Sequence, residues 1–543
     1  MATTYRSVSM AAFAIAVSAL VGGFFGGSVL ATQAGLPERM NTFTAGLKQI
    51  EQRYVEPVQS DRVVYSAING MLQTLDPHSS FMDPKAYAQL RERQEGHYYG
   101  LGISINVIEG DITVMSLFEG SPAYKKGIRR GDVIARINGE DAKGWTSEQA
   151  VVKLRGPRGT PVQVSIRRGG YDQLIDVEVV RDEIRIPSVH AAFLMNDGTG
   201  YIQLRDFSET TDRELSAALR DLTKQGMKRV ILDLRDNPGG PLDQAIKVSN
   251  RFLPRGDMVV YTRGRVQNSD QDYRATEQSD YLRIPMITLV NRSSASASEI
   301  VAGALQDHDR AIVAGETTFG KALVQSVYRV SQGAGLALTT ARYYTPSGRL
   351  IQRPWDGAFD EYLTYTMREQ SARQHTADEL KLTDAGRKVY SGGGIEPDER
   401  FDGPVEGFNP TRFGRQLFGR QLFASYAERF YQEGDTRPGT RGKDRRPVAR
   451  DFAVDDAMIA DFQKFVESRR VKMDQAAWTQ DRAFIAAMIR FEIDAAVFGM
   501  GVARRRLLEV DPQAQHALGL FPKAEQLLTL AKTRTTRAGQ GAK

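Results

Sequence analysis

A short β-prone apolar run, Met286 to Val290 (MITLV), enters a string of small residues, NRSSASAS, and leaves it as an apolar-periodic segment, EIVAGALQD. The pattern is strand, turn and helix in immediate succession. Ser296 followed by Glu299 fits a capping box, which puts Ser296 at the helix N-cap. A hydroxyl there stands beside free backbone N–H groups and the positive end of the helix dipole. Both favour negative charge developing on an oxygen attacked at that point. Serine is also a preferred cap for purely structural reasons, so this pattern leaves both readings open.

Lys321 follows in a glycine-flanked loop, within ETTFGKALVQSVYRV. Ala322 to Val330 alternates with the period of a strand, which puts Lys321, Leu323 and Gln325 on one face. A lysine opening a mostly apolar strand loses hydration, and burial lowers its pKa from about 10.4 toward the range of a base working near neutrality. A surface lysine beside a turn is the commoner meaning of the same residues.

SASASEIVAGALQD followed by GETTFGKALVQ resembles the carboxyl-terminal processing (tail-specific) proteases, the S41 family of serine peptidases with a Ser/Lys dyad, and the likeness runs over roughly residues 40–400. The resemblance implies that Ser296 is the nucleophile, Lys321 the general base and Gln325 the residue that orients the base. Ala322 departs from the glycine usual at its position. The resemblance also implies an α/β core of the crotonase/ClpP-like family fold. Upstream, Arg229 to Leu234 is a strongly apolar strand that ends in Asp236-Asn237-Pro238-Gly239-Gly240. N-P-G-G usually means a tight turn, but a glycine turn at the end of a buried strand also exposes backbone N–H groups where α/β sites lie. In the family, a glycine of this motif and the residue after the nucleophile form the oxyanion hole. Here that means Gly239 or Gly240 together with Ala297.

From Gly96 to about Asp182 the pattern changes to short strands and glycine turns: GLGI at 100–103, GDVI at 131–134, ING at 137–139, then a short helix from Ser147 to Leu154. In that order these resemble a PDZ domain, which binds an extended peptide by adding it as a strand beside GLGI. Leu101, Gly102 and Ile103 are the expected peptide contacts, and protein or peptide tails with apolar C-termini the expected partners.

The 543 residues divide into an N-terminal signal sequence or membrane anchor (1–35), a helical region (36–95), the PDZ domain (96–182), the protease core (183–402) and a C-terminal linker and helical region (403–543). Arg6 precedes a run of about 22 apolar and small residues from Met10 to Ala31, long enough to span a bilayer. We therefore expect export to the periplasm or cell envelope, with the segment either cleaved or retained in the inner membrane. The absence of cysteine excludes a thiol nucleophile, disulfides and cysteine metal sites. Six scattered histidines offer no HExxH spacing, so neither a metal nor another cofactor is expected. A net charge of +6 is small for this length and implies no nucleic acid. DPHSS (76–80) reads as a turn and cap, residues 263–283 as a polar surface excursion, and Gly392 to Asp398 as architecture. His308, 12 residues beyond Ser296 on the same expected helix, lies about 18 Å along it and out of reach as a base.

In the tail, residues 434–450 read as a basic Pro/Gly-rich linker. Ile485, Met488, Ile489, Ile493 and Val497 form an amphipathic stripe. Arg504 to Arg506 read as a solvated face with anionic lipid as the rarer alternative, and the residues from about Thr533 as disordered. The resemblance implies a homo-oligomer, a dimer or higher, and a lipoprotein adaptor for some members. The competing function is a non-catalytic PDZ scaffold of the cell envelope.

Overall fold

Residues 35–53 form α1, Ser60–Gln73 α2, Ser80–Met82 the short strand β1, and Pro84–Glu95 α3. The structure, a computed structural model, describes residues 35–195, 197–355, 362, 364–367, 373–401, 410–433 and 448–540. The expected signal or anchor run (10–31) and residues 434–447 of the expected linker lie outside them. Asp83 caps α3 by accepting the Ala86 amide at 2.7 Å, and the helix ends at Gly96, whose φ of 74° suits a residue without a side chain. The apolar stripe of α1 finds no cover among the described residues: Leu36 is 64% exposed and Ile50 46%.

The glycine-punctuated stretch folds into one antiparallel sheet. It runs in the order β2 (Ile103–Ile108), β3 (Asp111–Leu117), β4 (Val133–Ile137), β5 (Pro161–Arg167), β6 (Ile175–Val180). Alternate residues, Ile112 and Val114, Val162, Val164 and Ile166, point into a core shared with helix α4 (Ser147–Leu154). Thr146 and Gln149 close the α4 capping box. Below the sheet, residues 97–100 pair antiparallel with 182–185 and form its neck.

The chain then builds two sheets together. Its elements are β7 (Val189–Leu194), β8 (Thr199–Leu204), α5 (Thr211–Lys224), β9 (Arg229–Asp233), α6 (Leu242–Asn250), β10 (Met258–Arg263) and β11 (Gln271–Arg274). They continue with β12 (Met286–Val290), α7 (Ala297–Asp307), β13 (Ile312–Gly315), β14 (Leu323–Arg329), β15 (Gly335–Tyr344) and β16 (Glu399–Arg400). One sheet has the order β7-β8-β9-β12-β13-β16, parallel from β8 onward. The other has the order β1-β15-β10-β11, with β14 also paired to β15. The stretch 263–283 is therefore not only a surface excursion: it carries β11, which pairs with β10, and buries Ala275.

The parallel strands read as unbroken apolar runs because both faces are covered. Val230 and Leu232 face the core made with α5, α6 and α7, whereas Ile231, Ile287 and Leu289 face the other way. That second face is covered by α13 (Met500–Val510), α14 (Pro512–Gly519) and α15 (Phe521–Gln540), through Leu508, Leu520, Phe521 and Leu527. Between core and cover come α8 (Arg412–Gly419), α9 (Leu422–Glu433), α10 (Asp456–Ser468), α11 (Gln475–Gln480) and α12 (Arg482–Val497). They enclose their own cluster of Phe423, Tyr426, Phe462, Ile485 and Ile489.

Two tail expectations are corrected. Arg504 and Arg506 are not a solvated face: Arg504 donates to Gln203 at 2.5 Å and Arg506 pairs with buried Asp494 at 2.6 Å, tying α13 to the sheet and to α12, whereas Arg505 is exposed. The backbone of α15 runs helical to Gln540, past Thr533 where disorder was expected. This bundle also meets the PDZ-like sheet, where Arg130 pairs with Glu492 at 3.0 Å.

Candidate active site

Ser296 is the residue before α7, as its pattern predicts, but its backbone is not that of an ordinary cap. Its φ of 54° and ψ of −111° lie in a region that only strain or special packing holds for a residue with a side chain. The Glu299 amide donates to the Ser296 carbonyl at 2.9 Å, within a capping box in which the Glu299 carboxylate accepts the Ser296 amide. The turn tolerates this because its neighbours are small and its hydrogen bonds are supplied from outside. Asn237 accepts the Ala295 amide and the Ser298 hydroxyl on its carbonyl, both at 3.0 Å, and donates its own side-chain amide to the Leu204 carbonyl at 2.9 Å.

The residue that joins the site is Glu299, which is fully buried. Its Oε2 accepts the amides of Ser296 (2.8 Å) and Lys321 (2.9 Å), and its Oε1 accepts the Thr318 hydroxyl (2.5 Å) and the Gly320 amide (2.7 Å). Ser296 and Lys321 therefore share one oxygen, and their nitrogens are no farther apart than those two bonds together allow. Tyr343, on β15, adds a second link: its hydroxyl donates to the Lys321 carbonyl at 2.5 Å and lies 3.1 Å from that of Ser296. Sequence reasoning took Glu299 only as half of a capping box and did not single out Tyr343. Burial pushes the Glu299 carboxyl up to about 6 against the four hydrogen bonds that favour its anion.

Lys321 lies just before β14 and is largely buried. Desolvation holds its amine below the ordinary lysine range, against the opposing pull of Glu299 and Asp76. Gln325 is on β14 opposite Thr339 of β15, and its Nε2 is buried with no partner among the described residues. The loop before Lys321 is held by the segment 392–395: the Thr318 amide donates to the Ile395 carbonyl at 3.1 Å, and the Ile395 amide to the Thr318 hydroxyl at 2.6 Å. A side chain on Gly394 would lie 2.4 Å from the Thr318 carbonyl, so the glycines there are required by contact with the site.

The turn after β9 meets the Ser296 turn directly. Asp236 and Asn291 exchange hydrogen bonds of 2.9 and 2.8 Å. A Cβ on Gly239 would lie 2.8 Å from both the Ser296 Cβ and the Ala297 nitrogen. The Gly239 amide already donates to Asn237 at 2.9 Å. Gly240 is more exposed; a Cβ there would strike the Phe207 carbonyl at 2.2 Å. The chain thus packs Gly239 against Ser296 and Ala297, with Gly240 next to it against Phe207.

In the PDZ-like sheet, β2 is an edge strand beside α4, with one side free of strand partners among the described residues. Leu101 is buried in the core below, and Gly102 has a φ of 76° and no room for a Cβ beside Ser121. Ile103 opens the edge strand and is partly exposed. The remaining candidates lie elsewhere. His308 bonds Asp384 at 2.8 Å and the Met258 carbonyl at 2.7 Å at the far end of α7. His78 does not pair with Ser79 but bonds the Tyr362 hydroxyl. No group of residues able to hold a metal ion occurs among the described residues.

Three family descriptions match the chain: Peptidase family S41 over residues 198–357, PDZ domain over 89–167, and Activating protease CtpB N-terminal domain over 28–86. A carboxy-terminal-processing protease of Bartonella bacilliformis is 42% identical over 309 residues, which are 56% of this chain and 70% of that one. A carboxyl-terminal-processing protease of Picosynechococcus is 38% identical over 303 residues, 55% and 72% of the two chains. Among solved structures, the photosystem II D1 C-terminal processing protease is 29% identical, with a TM-score of 0.34 over 66% of this chain and 86% of that one. With a buried carboxylate joining a serine turn to a lysine loop, and with relatives matched over most of their own length, the chain belongs to the carboxy-terminal-processing proteases, PDZ-bearing serine-type peptidases of family S41.

Proposed function

We propose that this chain is an exported endopeptidase that takes hold of protein C-terminal tails through its PDZ domain and cleaves peptide bonds with a Ser296/Lys321 dyad. The observation that carries the reading is the single Glu299 oxygen bonded to the amides of both residues. Neutral Lys321 takes the Ser296 proton as the hydroxyl attacks the scissile carbonyl, then delivers it to the leaving amine. Gln325, paired with Thr339 across β14 and β15, orients the amine through its side-chain oxygen. The Ala297 amide and a glycine amide of the 239–240 pair receive the oxyanion. The Gly239 amide is engaged by Asn237, which favours Gly240 as the donor. The core is of the crotonase/ClpP-like form, and no cofactor takes part.

A tail with an apolar C-terminus adds as a strand to β2, with Leu101, Gly102 and Ile103 at its end. The uncovered apolar stripe of α1 supports a homo-oligomer in which a second copy covers it. The apolar run at 10–31 supports passage to the periplasm or cell envelope, with or without an anchor in the inner membrane. A lipoprotein adaptor is a further partner open to capture experiments. The test is digestion of an unfolded substrate such as casein by Ser296→Ala and Lys321→Ala. Both are expected to lose cleavage and keep the wild-type melting curve; wild-type turnover by either removes the dyad.

A further inference from the structure

The turn Asp76-Pro77-His78-Ser79, contributed by the N-terminal helical region, is bonded to β15 through Thr339 and to Tyr362, which packs on the Lys321 loop. Asp76 is buried and accepts the amides of His78 (2.8 Å) and Ser79 (2.7 Å) and the Ser79 hydroxyl (2.6 Å). Ser79 in turn accepts the Thr339 amide at 3.1 Å, and Thr339 is the residue opposite Gln325. On the other side, His78 bonds the Tyr362 hydroxyl, and the Tyr362 ring packs edge-on against Phe319 at 5.2 Å, two residues before Lys321. The turn is therefore bonded to β15 at the residue paired with Gln325 and, through Tyr362, packs against the loop that carries Lys321.

We propose that Asp76 is a positioning residue for Lys321: a fixed counter-charge, supplied by the N-terminal region, that acts on the amine of the base. This rests on Lys321 acting as the base of the dyad. The groups facing that amine are few. Glu299 comes from α7 and Asp76 and His78 from the turn, while the Tyr343 hydroxyl of β15 bonds the Lys321 carbonyl and Tyr362 bonds His78. Burial and the Lys321 cation push His78 down to about 4, so it is neutral at pH 6 and above. Burial works against the Asp76 anion, but its Ser79 and His78 hydrogen bonds outweigh that and hold it below the usual carboxylate range. Asp76 and Glu299 are thus the two anions that offset the desolvation of Lys321.

A turn of this kind needs an acceptor and not a charge, since asparagine closes it equally well. Asp76→Asn therefore separates the two roles. With one anion gone, Lys321 gives up its proton at lower pH, and the acid limb of kcat/KM moves down. We expect the ratio of kcat/KM at pH 6 to that at pH 9 to rise about three- to tenfold over wild type, with Asp76→Glu restoring the wild-type profile. An active Asp76→Asn enzyme whose acid limb superimposes on that of wild type, whatever its kcat, overturns the inference and leaves the dyad standing. Full turnover by Lys321→Ala would instead remove the reading beneath it. If Asp76→Asn does not fold, Asp76→Ser keeps an acceptor without the charge and is read in the same way.

Discussion

Glu299 shows how much one side chain can organise when it is fully buried. Glutamine at this position keeps one carbonyl oxygen for Thr318 and Gly320 but turns an NH2 toward the amides of Ser296 and Lys321. Two donors then lose their acceptor, at a cost of about 2–4 kcal/mol in urea unfolding at pH 5. The pH dependence has a definite sign. The Glu299 carboxyl is raised to about 6 in the folded state, so its contribution to stability is fully present below the ordinary glutamate range. That contribution is lost as pH rises through 6, by roughly 2 kcal/mol. The deficit of Glu299→Gln should therefore shrink between pH 5 and pH 7, and a deficit that grows over that interval contradicts the raised carboxyl. In the sequence this residue is only the fourth letter of a capping box. The S-x-x-E spacing makes the local half legible, but its bonds to Thr318, Gly320 and Lys321 come from a loop some twenty positions away. Those depend on β12 and β13 lying side by side, which no local pattern contains.

Among the elements, the turns carry the chemistry and the strands fix where they meet. Strand, turn and helix around Ser296 could be read from apolar periodicity and small residues, and so could the β14 alternation that follows Lys321. The strained conformation of Ser296 could not, because it is imposed by Asn237 and Gly239 from the neighbouring turn. Gly239→Ala tests that contact. Its φ of 91° and the 2.7 Å approach of a Cβ to the Ala295 carbonyl leave no room for a methyl group without moving the Ser296 turn. We expect kcat/KM to fall at least about 100-fold, as when an oxyanion donor is lost, and the melting temperature to fall with it. An unchanged kcat/KM would show that the two turns are not in register. The strand β11 was missed because its residues, QDYR, are polar at an edge where only one side chain in four is even partly buried.

At the scale of the whole molecule, the helical pattern of the tail does not say what it packs against. Helices α13 to α15 cover the outer face of the parallel sheet. The clue was present in β9 and β12, which are apolar at successive positions and so require burial on both sides. Which segment supplies the second layer is a tertiary fact, carried by Leu508, Leu520, Phe521 and Leu527. Each of these large side chains contributes about 1.5–3 kcal/mol by burial, and together they rival the net stability of a typical domain. A chain cut after Gly499 should therefore be recovered mainly in the insoluble fraction, or melt well below wild type. Soluble, fully active protein of that length would show the cover to be dispensable.

That cover also bears on the order in which the enzyme comes into being. A ribosome delivers β12 and the Ser296 turn long before it delivers α13 to α15, and the sheet beneath the turn is bare on one side throughout that interval. The outer face of the sheet that positions the Ser296 turn is thus closed only by the last-made part of the chain.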